Sequence, residues 1–184
     1  MSDKRQQLIE TALELFYQEG VQSIGINEVL KVSGVAKKTL YHHFTSKEAL
    51  VLATLETRNQ RFSQWLTVQI APAKNNQELV EHLFQSLKGW FEDRVEVLGE
   101  FRGCFFINTA AEFRDSESEI SRYCRQHKSD IKQVIRQQMA TYADQPDETL
   151  LERICLLKEG VITQAYVAQD MSGPEQAIEL LKGR

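Results

Sequence analysis

An all-α fold is what the residues of this 184-residue chain predict. Three observations carry the prediction. Apolar residues recur at helical spacing through most of the length, and strand-like alternation never persists beyond a few residues. The three prolines, Pro72, Pro146 and Pro174, stand where the apolar periodicity breaks. A hydrophobic content of 42% is enough to bury a core. No apolar run approaches the roughly 20 residues a membrane helix needs, so a soluble, cytoplasmic chain is expected.

Taken in chain order, the first informative stretch runs from Asn27 to Lys47 and reads as two short helices around a tight turn. Asn27 is suited to cap the first helix, and Val29 and Leu30 give it an apolar face. Gly34 can take the left-handed conformation that ends it, and Val35 can plug the corner. A second helix begins at Ala36 or Lys37. At helical spacing Leu40 and Phe44 turn inward, which leaves Lys38, Tyr41 and His42 on the opposite side with Lys37 and Thr39 flanking them. Ser46 then caps a long helix that carries Ala49, Leu50, Leu52 and Leu55 inward and runs past Phe62 and Trp65 toward Ile70. The loop 71–76 ends it. A helix over about 77–93 aligns Leu79, Leu83, Leu87 and Trp90, shorter pieces follow through Phe113, and another helix spans about 116–143.

The C-terminal region predicts a long helix over 147–170 and a short one over 174–181. The long helix has Leu150, Ile154, Leu157, Val161 and Ala165 in one stripe and Leu151, Cys155, Ile162 and Tyr166 in the next. Together these are wider than the roughly 100° face that one side of a monomeric bundle requires. Gly160 sits mid-helix at a cost of about 1 kcal/mol relative to alanine, which suits a close approach by another helix. A self-association surface is therefore expected, built from Leu150, Ile154, Leu157, Val161, Ala165, Ile178 and Leu181. The alternative is that this helix is the central one of a monomeric bundle.

The net charge is −4 and the pI about 5.6, which argues against binding nucleic acid through bulk charge. The distribution argues otherwise. Between Lys31 and Lys47 there are four lysines and no acid, whereas residues 51–184 hold 16 basic and 20 acidic side chains. A small positive face on a negative body suits a protein that touches DNA along one edge. The same residues also fit an ordinary helical hairpin with solvated lysines. What favours a helix-turn-helix over about 25–44 is that the apolar pattern, the Gly34 turn and the basic face coincide within about 20 residues.

Other chemistries find little support. Cys104, Cys124 and Cys155 are odd in number and widely spaced, which indicates neither a disulfide framework nor a zinc site; buried reduced thiols are expected. No metal and no cofactor is implied. There is no Gly-x-Ser-x-Gly elbow, no phosphate-cradling Gly-x-x-x-x-Gly-Lys loop and no His-Glu-x-x-His pair, and of the histidines His42, His43, His82 and His127 the first two belong to the basic helix. An enzyme is not expected, and an unrecognised helical hydrolase is the remote alternative. The densest aromatic run, 101–113, contains Asn108 and Glu112 four residues apart. With Trp65, Phe84, Trp90, Phe105, Tyr123 and Tyr166 these two make a candidate pocket for a small effector, although each aromatic also suits plain core.

The first 50 residues resemble the DNA-binding domain of the tetracycline-repressor (TetR) family of transcription regulators. The matching pieces are an opening helix with Ile9, Ala12, Leu13 and Phe16 followed by Glu19-Gly20, then Ser33-Gly34-Val35, then 37–44, and then Ser46-Lys-Glu-Ala-Leu50. Two departures stand out. Ala36 occupies a position where the family often has a capping Ser or Thr, and Asn27 follows Gly25-Ile26 where a threonine is frequent. The resemblance implies an N-terminal three-helix helix-turn-helix domain over 1–62, followed by a helical ligand-binding and dimerisation domain over 63–184. It implies a homodimer paired through its last two helices on a palindromic double-stranded DNA operator. A small-molecule effector of unknown identity would release it, so that it acts as a repressor rather than an activator. Lys37, Lys38 and Lys47 would neutralise phosphates, Tyr41 and His42 would touch backbone or base edges, and Thr39 would meet a phosphate or a thymine methyl. Asn27 would add a phosphate contact. A constitutive DNA-binding or architectural factor without inducer is the alternative.

Overall fold

The computed structural model describes residues 3–182, and among these the secondary structure is helical throughout. The α-helices are α1 (Asp3–Glu19), α2 (Ile26–Ser33), α3 (Lys37–His43), α4 (Lys47–Ile70), α5 (Asn76–Phe91), α6 (Phe105–Glu112), α7 (Glu119–Met139), α8 (Glu148–Val167) and α9 (Gly173–Leu181), with one 3₁₀ turn at Glu96–Leu98. None is long and apolar enough to cross a membrane. Several ends are set by single side chains. Ser46 Oγ accepts from the Ala49 amide at the start of α4, Asn75 Oδ1 from that of Glu78 at α5, and Asp147 Oδ1 from that of Leu150 at α8. Asn27 does not cap α2. The helix begins two residues earlier than such a cap implies, with Gly25 as its N-cap and no side-chain bond there, so Asn27 lies exposed inside the first turn.

The chain forms two compact units, Met1–Gln60 with Phe105–His127, and Arg61–Cys104 with Lys128–Arg184. The chain first passes from one unit to the other between Gln60 and Arg61, within α4. Residues 105–127 then return to the N-terminal unit.

In the first unit α1 packs on α2 and α3. Its core takes Leu8, Ile9, Ala12, Leu13 and Phe16 from α1, Val29 from α2, Leu40 from α3, and Leu50, Val51 and Leu55 from α4, all buried. The segment from the middle of the chain adds Phe105 and Phe106, also buried. Phe105 meets Tyr17 edge-on at 5.8 Å, and Phe106 stacks on His127 at 3.5 Å. His127 is itself buried, and its Nδ1 lies 2.6 Å from Asn59 Oδ1.

In the second unit α5, α8 and α9 pack on one another around Leu79, Leu83, Leu87, Leu151, Ile154 and Ala165. A charge cluster built on one buried lysine accompanies this core. Lys158 is 3% exposed and pairs with Glu159, whose other oxygen accepts from Lys128 Nζ at 2.7 Å; Lys128 also donates to Cys104 Sγ at 3.3 Å. Burial pushes the Glu159 carboxyl up, but the two lysines outweigh it and hold its pKa below the ordinary 4.5. A depressed carboxylate adds stability that is present above its unfolded value and lost as pH falls through its folded one. Thermal melts from pH 6 to pH 3 are therefore expected to show a loss of stability below about pH 4.5 that Glu159→Gln removes; an unchanged acid limb in that variant contradicts the assignment.

Candidate nucleic-acid interface

The α2–α3 pair forms as its residues dictate. Gly34 takes φ 65° and ψ 12°, and its amide closes α2 on Leu30 O. Ser33 Oγ accepts from the Val35 amide, and Val35 is buried at the corner. Gln7 Nε2 of α1 donates to Ser33 O at 2.8 Å and ties the turn to the first helix. Beneath α3, Leu40 is fully buried and Phe44 is 3% exposed, with the Arg5 guanidinium 5.2 Å over the Phe44 ring.

Because Leu40 and Phe44 point in, the other face of α3 points out. Lys37, Lys38, Tyr41 and His42 are exposed and Thr39 is half-buried. Val32 at the end of α2 is also exposed. Lys47 behaves differently from the other lysines. Its ammonium lies 6.0 Å over the Phe16 ring, and burial pushes its pKa below the usual lysine value against the pull of Glu48 and Glu112. Reaching a phosphate would require it to leave that seat. Ala36 precedes α3 with no side-chain cap, as its methyl requires.

The candidate pocket residues fall in two places. Trp65, Phe84, Trp90 and Tyr166 belong to the second unit, whereas Phe105, Asn108, Glu112 and Tyr123 belong to the first. In the second unit Phe101 gathers an aromatic cluster. Its ring lies 4.9 Å from Trp90, 4.7 Å from Phe91 and 6.3 Å from Tyr166, and Phe62 and Trp65 join through Trp90. Beside it an open cleft of about 460 Å³ is lined by Trp65, Gln69, His82, Ser86, Arg94 and Val95. Glu112 is committed elsewhere: both of its oxygens accept backbone amides, from Val21 and Gln22. Spacing along 101–113 gave no sign that the chain changes unit between Cys104 and Phe105.

The candidate dimer residues lie mostly inside the single chain. Leu150, Ile154, Val161, Ala165 and Leu181 are buried within their own unit, and Leu157 and Ile178 are half-buried. The exposed stripe of α8 is Leu156, Gly160, Thr163 and Val167, with Leu180 exposed on α9. A methyl group added at Gly160 would meet nothing within 4 Å. A wide apolar helix has two faces to cover, and the residues chosen from its stripes are the ones this chain covers itself.

A glycine-ended helix, a plugged corner and a short helix with a buried apolar edge and a basic, aromatic outer face define the helix-turn-helix class. Residues 8–54 match the family model described as bacterial regulatory proteins, tetR family. Residues 8–54 thus carry that family's DNA-binding domain. It is 30% identical over 129 residues to the HTH-type transcriptional repressor NemR of Escherichia coli, a match covering 64% of this chain and 58% of NemR. It is 29% identical over 117 residues to the HTH-type regulator YxaF of Bacillus subtilis, covering 63% of this chain and 50% of YxaF. In sequence it thus spans only about half to three-fifths of these two relatives. The fold matches more fully. The TetR-family regulator SCO4454 of Streptomyces coelicolor superposes with a TM-score of 0.83 at 25% identity, over 99% of this chain and 88% of that one.

Proposed function

We propose that the chain is a cytoplasmic transcription repressor that binds a palindromic operator as a homodimer and is released by a small apolar or aromatic effector. The observation that carries the DNA half is the outer face of α3, where Lys37, Lys38, Tyr41 and His42 stand exposed on a rigid base of Leu40 and Phe44. Such a helix seats in a major groove with lysines on phosphates and the aromatic and imidazole groups near base edges. Thr39 and Asn27 stand at its margin. Lys47 takes part only if its ammonium leaves the Phe16 ring.

One α3 reads only a few base pairs. A two-fold dimer presents two such helices about 34 Å apart, in successive grooves, and so reads an inverted repeat. The face proposed for pairing is the exposed stripe of Leu156, Gly160, Thr163 and Val167 with Leu180. Selection from a random DNA library with the purified protein is expected to recover inverted repeats. Titrating the recovered duplex against salt then tests the basic face. Lys38→Ala should weaken binding and flatten the slope of log K against log salt by about one per half-site. Unchanged affinity and slope would mean that α3 is not oriented as proposed.

For effector release, the support is the ring cluster around Phe101. It is mostly apolar, and the cleft beside it carries His82, Gln69 and Arg94 as polar groups, the pattern of small-molecule sites. The chain's two tryptophans, Trp65 and Trp90, both belong to that cluster, so bound effector should change the intrinsic emission as it lowers operator affinity. A ligand that releases DNA must prefer the weakly binding conformation; equal affinity for both would release nothing.

A further inference from the structure

Glu112 is the last residue of α6, where the backbone carbonyls make a carboxylate electrostatically unwelcome. Its charge is compensated from another part of the first unit. Val21 N donates to Oε1 at 2.9 Å and Gln22 N to Oε2 at 2.6 Å, from positions 91 and 90 residues earlier in the chain. The receptor is the turn that leaves α1. Gly20 has φ 88°, and its amide closes the helix on Phe16 O. A left-handed residue at that point turns the following amides to converge in a small anion-binding nest. The carboxylate sits directly against it, since a methyl group on Gly20 would lie 3.3 Å from Oε1. Lys47, at the start of α4, is drawn by the same charge.

The turn held in this way leads straight into α2 and the DNA-reading pair. We infer that Glu112 is a positioning residue for the operator-binding helices: its carboxylate fills the Gly20-Val21-Gln22 nest, fixes the α1–α2 turn, and makes the placement of α6 a determinant of DNA affinity without touching DNA. This rests on the regulator reading above and adds to it a device that acts on the reading head. The Val21 bond is half-buried and the Gln22 bond solvent-exposed, and losing the pair of charge-assisted bonds typically changes a local opening equilibrium roughly 10-fold.

The test compares wild type with Glu112→Gln and Glu112→Ala by amide hydrogen exchange and by titration of the duplex recovered by wild-type selection. In Glu112→Ala the Val21 and Gln22 amides should exchange at least about 10-fold faster while slow amides elsewhere in the unit keep their rates. Operator affinity should fall by about 10-fold with the salt slope unchanged, because no phosphate contact is lost. Glu112→Gln keeps the shape and only one good acceptor, so both readouts should lie between the other two. Wild-type exchange at both amides, or wild-type affinity, in Glu112→Ala overturns the inference. A uniform rise in exchange across the unit also overturns it, since that is loss of stability alone. Should Glu112→Ala fail to fold, the isosteric Glu112→Gln decides, and wild-type behaviour in both readouts overturns it. If wild type selects no DNA sequence, the regulator reading falls, while the exchange rates still decide whether Glu112 holds the turn.

Discussion

Replacing Phe44 by alanine is expected to melt the DNA-reading unit at ordinary temperatures and to abolish operator binding. The ring is 3% exposed beneath α3, closes the helix through its amide to Leu40 O at 2.8 Å, and carries the Arg5 guanidinium on its face. Truncating a buried phenylalanine costs about 3 to 5 kcal/mol, from lost transfer energy and the cavity left behind. Domains of this size have about 5 to 15 kcal/mol in total, so the variant retains little margin. A melt followed by circular dichroism should show the first transition lowered by about 12 °C or more. Phe44→Leu, which keeps most of the volume, should recover the greater part. A melting temperature within about 2 °C of wild type in the alanine variant would place Phe44 outside the core.

The second large effect concerns pairing. Leu156 is 73% exposed and Val167 74% exposed on the same stripe of α8, with the open Gly160 between them. Leu156→Glu puts a charge into the proposed interface but disturbs nothing inside its own unit. The variant is expected to keep its helical content and melting behaviour while sedimenting as a monomer. Operator binding should fall by two orders of magnitude or more, because tethering two heads is worth about 10²- to 10⁴-fold in avidity. Ile154→Ala makes the contrast. Ile154 is fully buried, so that change should lower stability by about 2 to 5 kcal/mol. A dimeric Leu156→Glu protein with normal affinity would move the interface elsewhere.

Much of the helical layout was legible because local chemistry decides it. Ser46 and Asp147 cap α4 and α8 as their side chains predispose them to, Gly34 ends α2, and the spacing of Leu40 and Phe44 orients α3. What escaped the sequence was decided at long range. Asn27 is a good cap, but Gly25 took the position. Glu112 reads as one polar group beside aromatics, and only the folded chain brings it to Val21 and Gln22. Nothing in the spacing of Lys128, Lys158 and Glu159 tells that Lys158 is buried against a half-buried Glu159. On α8 the periodicity announces two apolar stripes without saying which of them the chain covers for itself.

The discontinuity of the first unit bears on how such a head can be moved. Phe105, Phe106 and His127 complete a core begun by α1 and α4, and Glu112 braces the turn before α2. A graft cut after residue 60 would leave an apolar scar where α6 belongs and an empty seat beside Gly20. A chimera that transplants the first unit onto another body has to carry two separated stretches of chain, and substitutions in one stretch have to be chosen with the other in view.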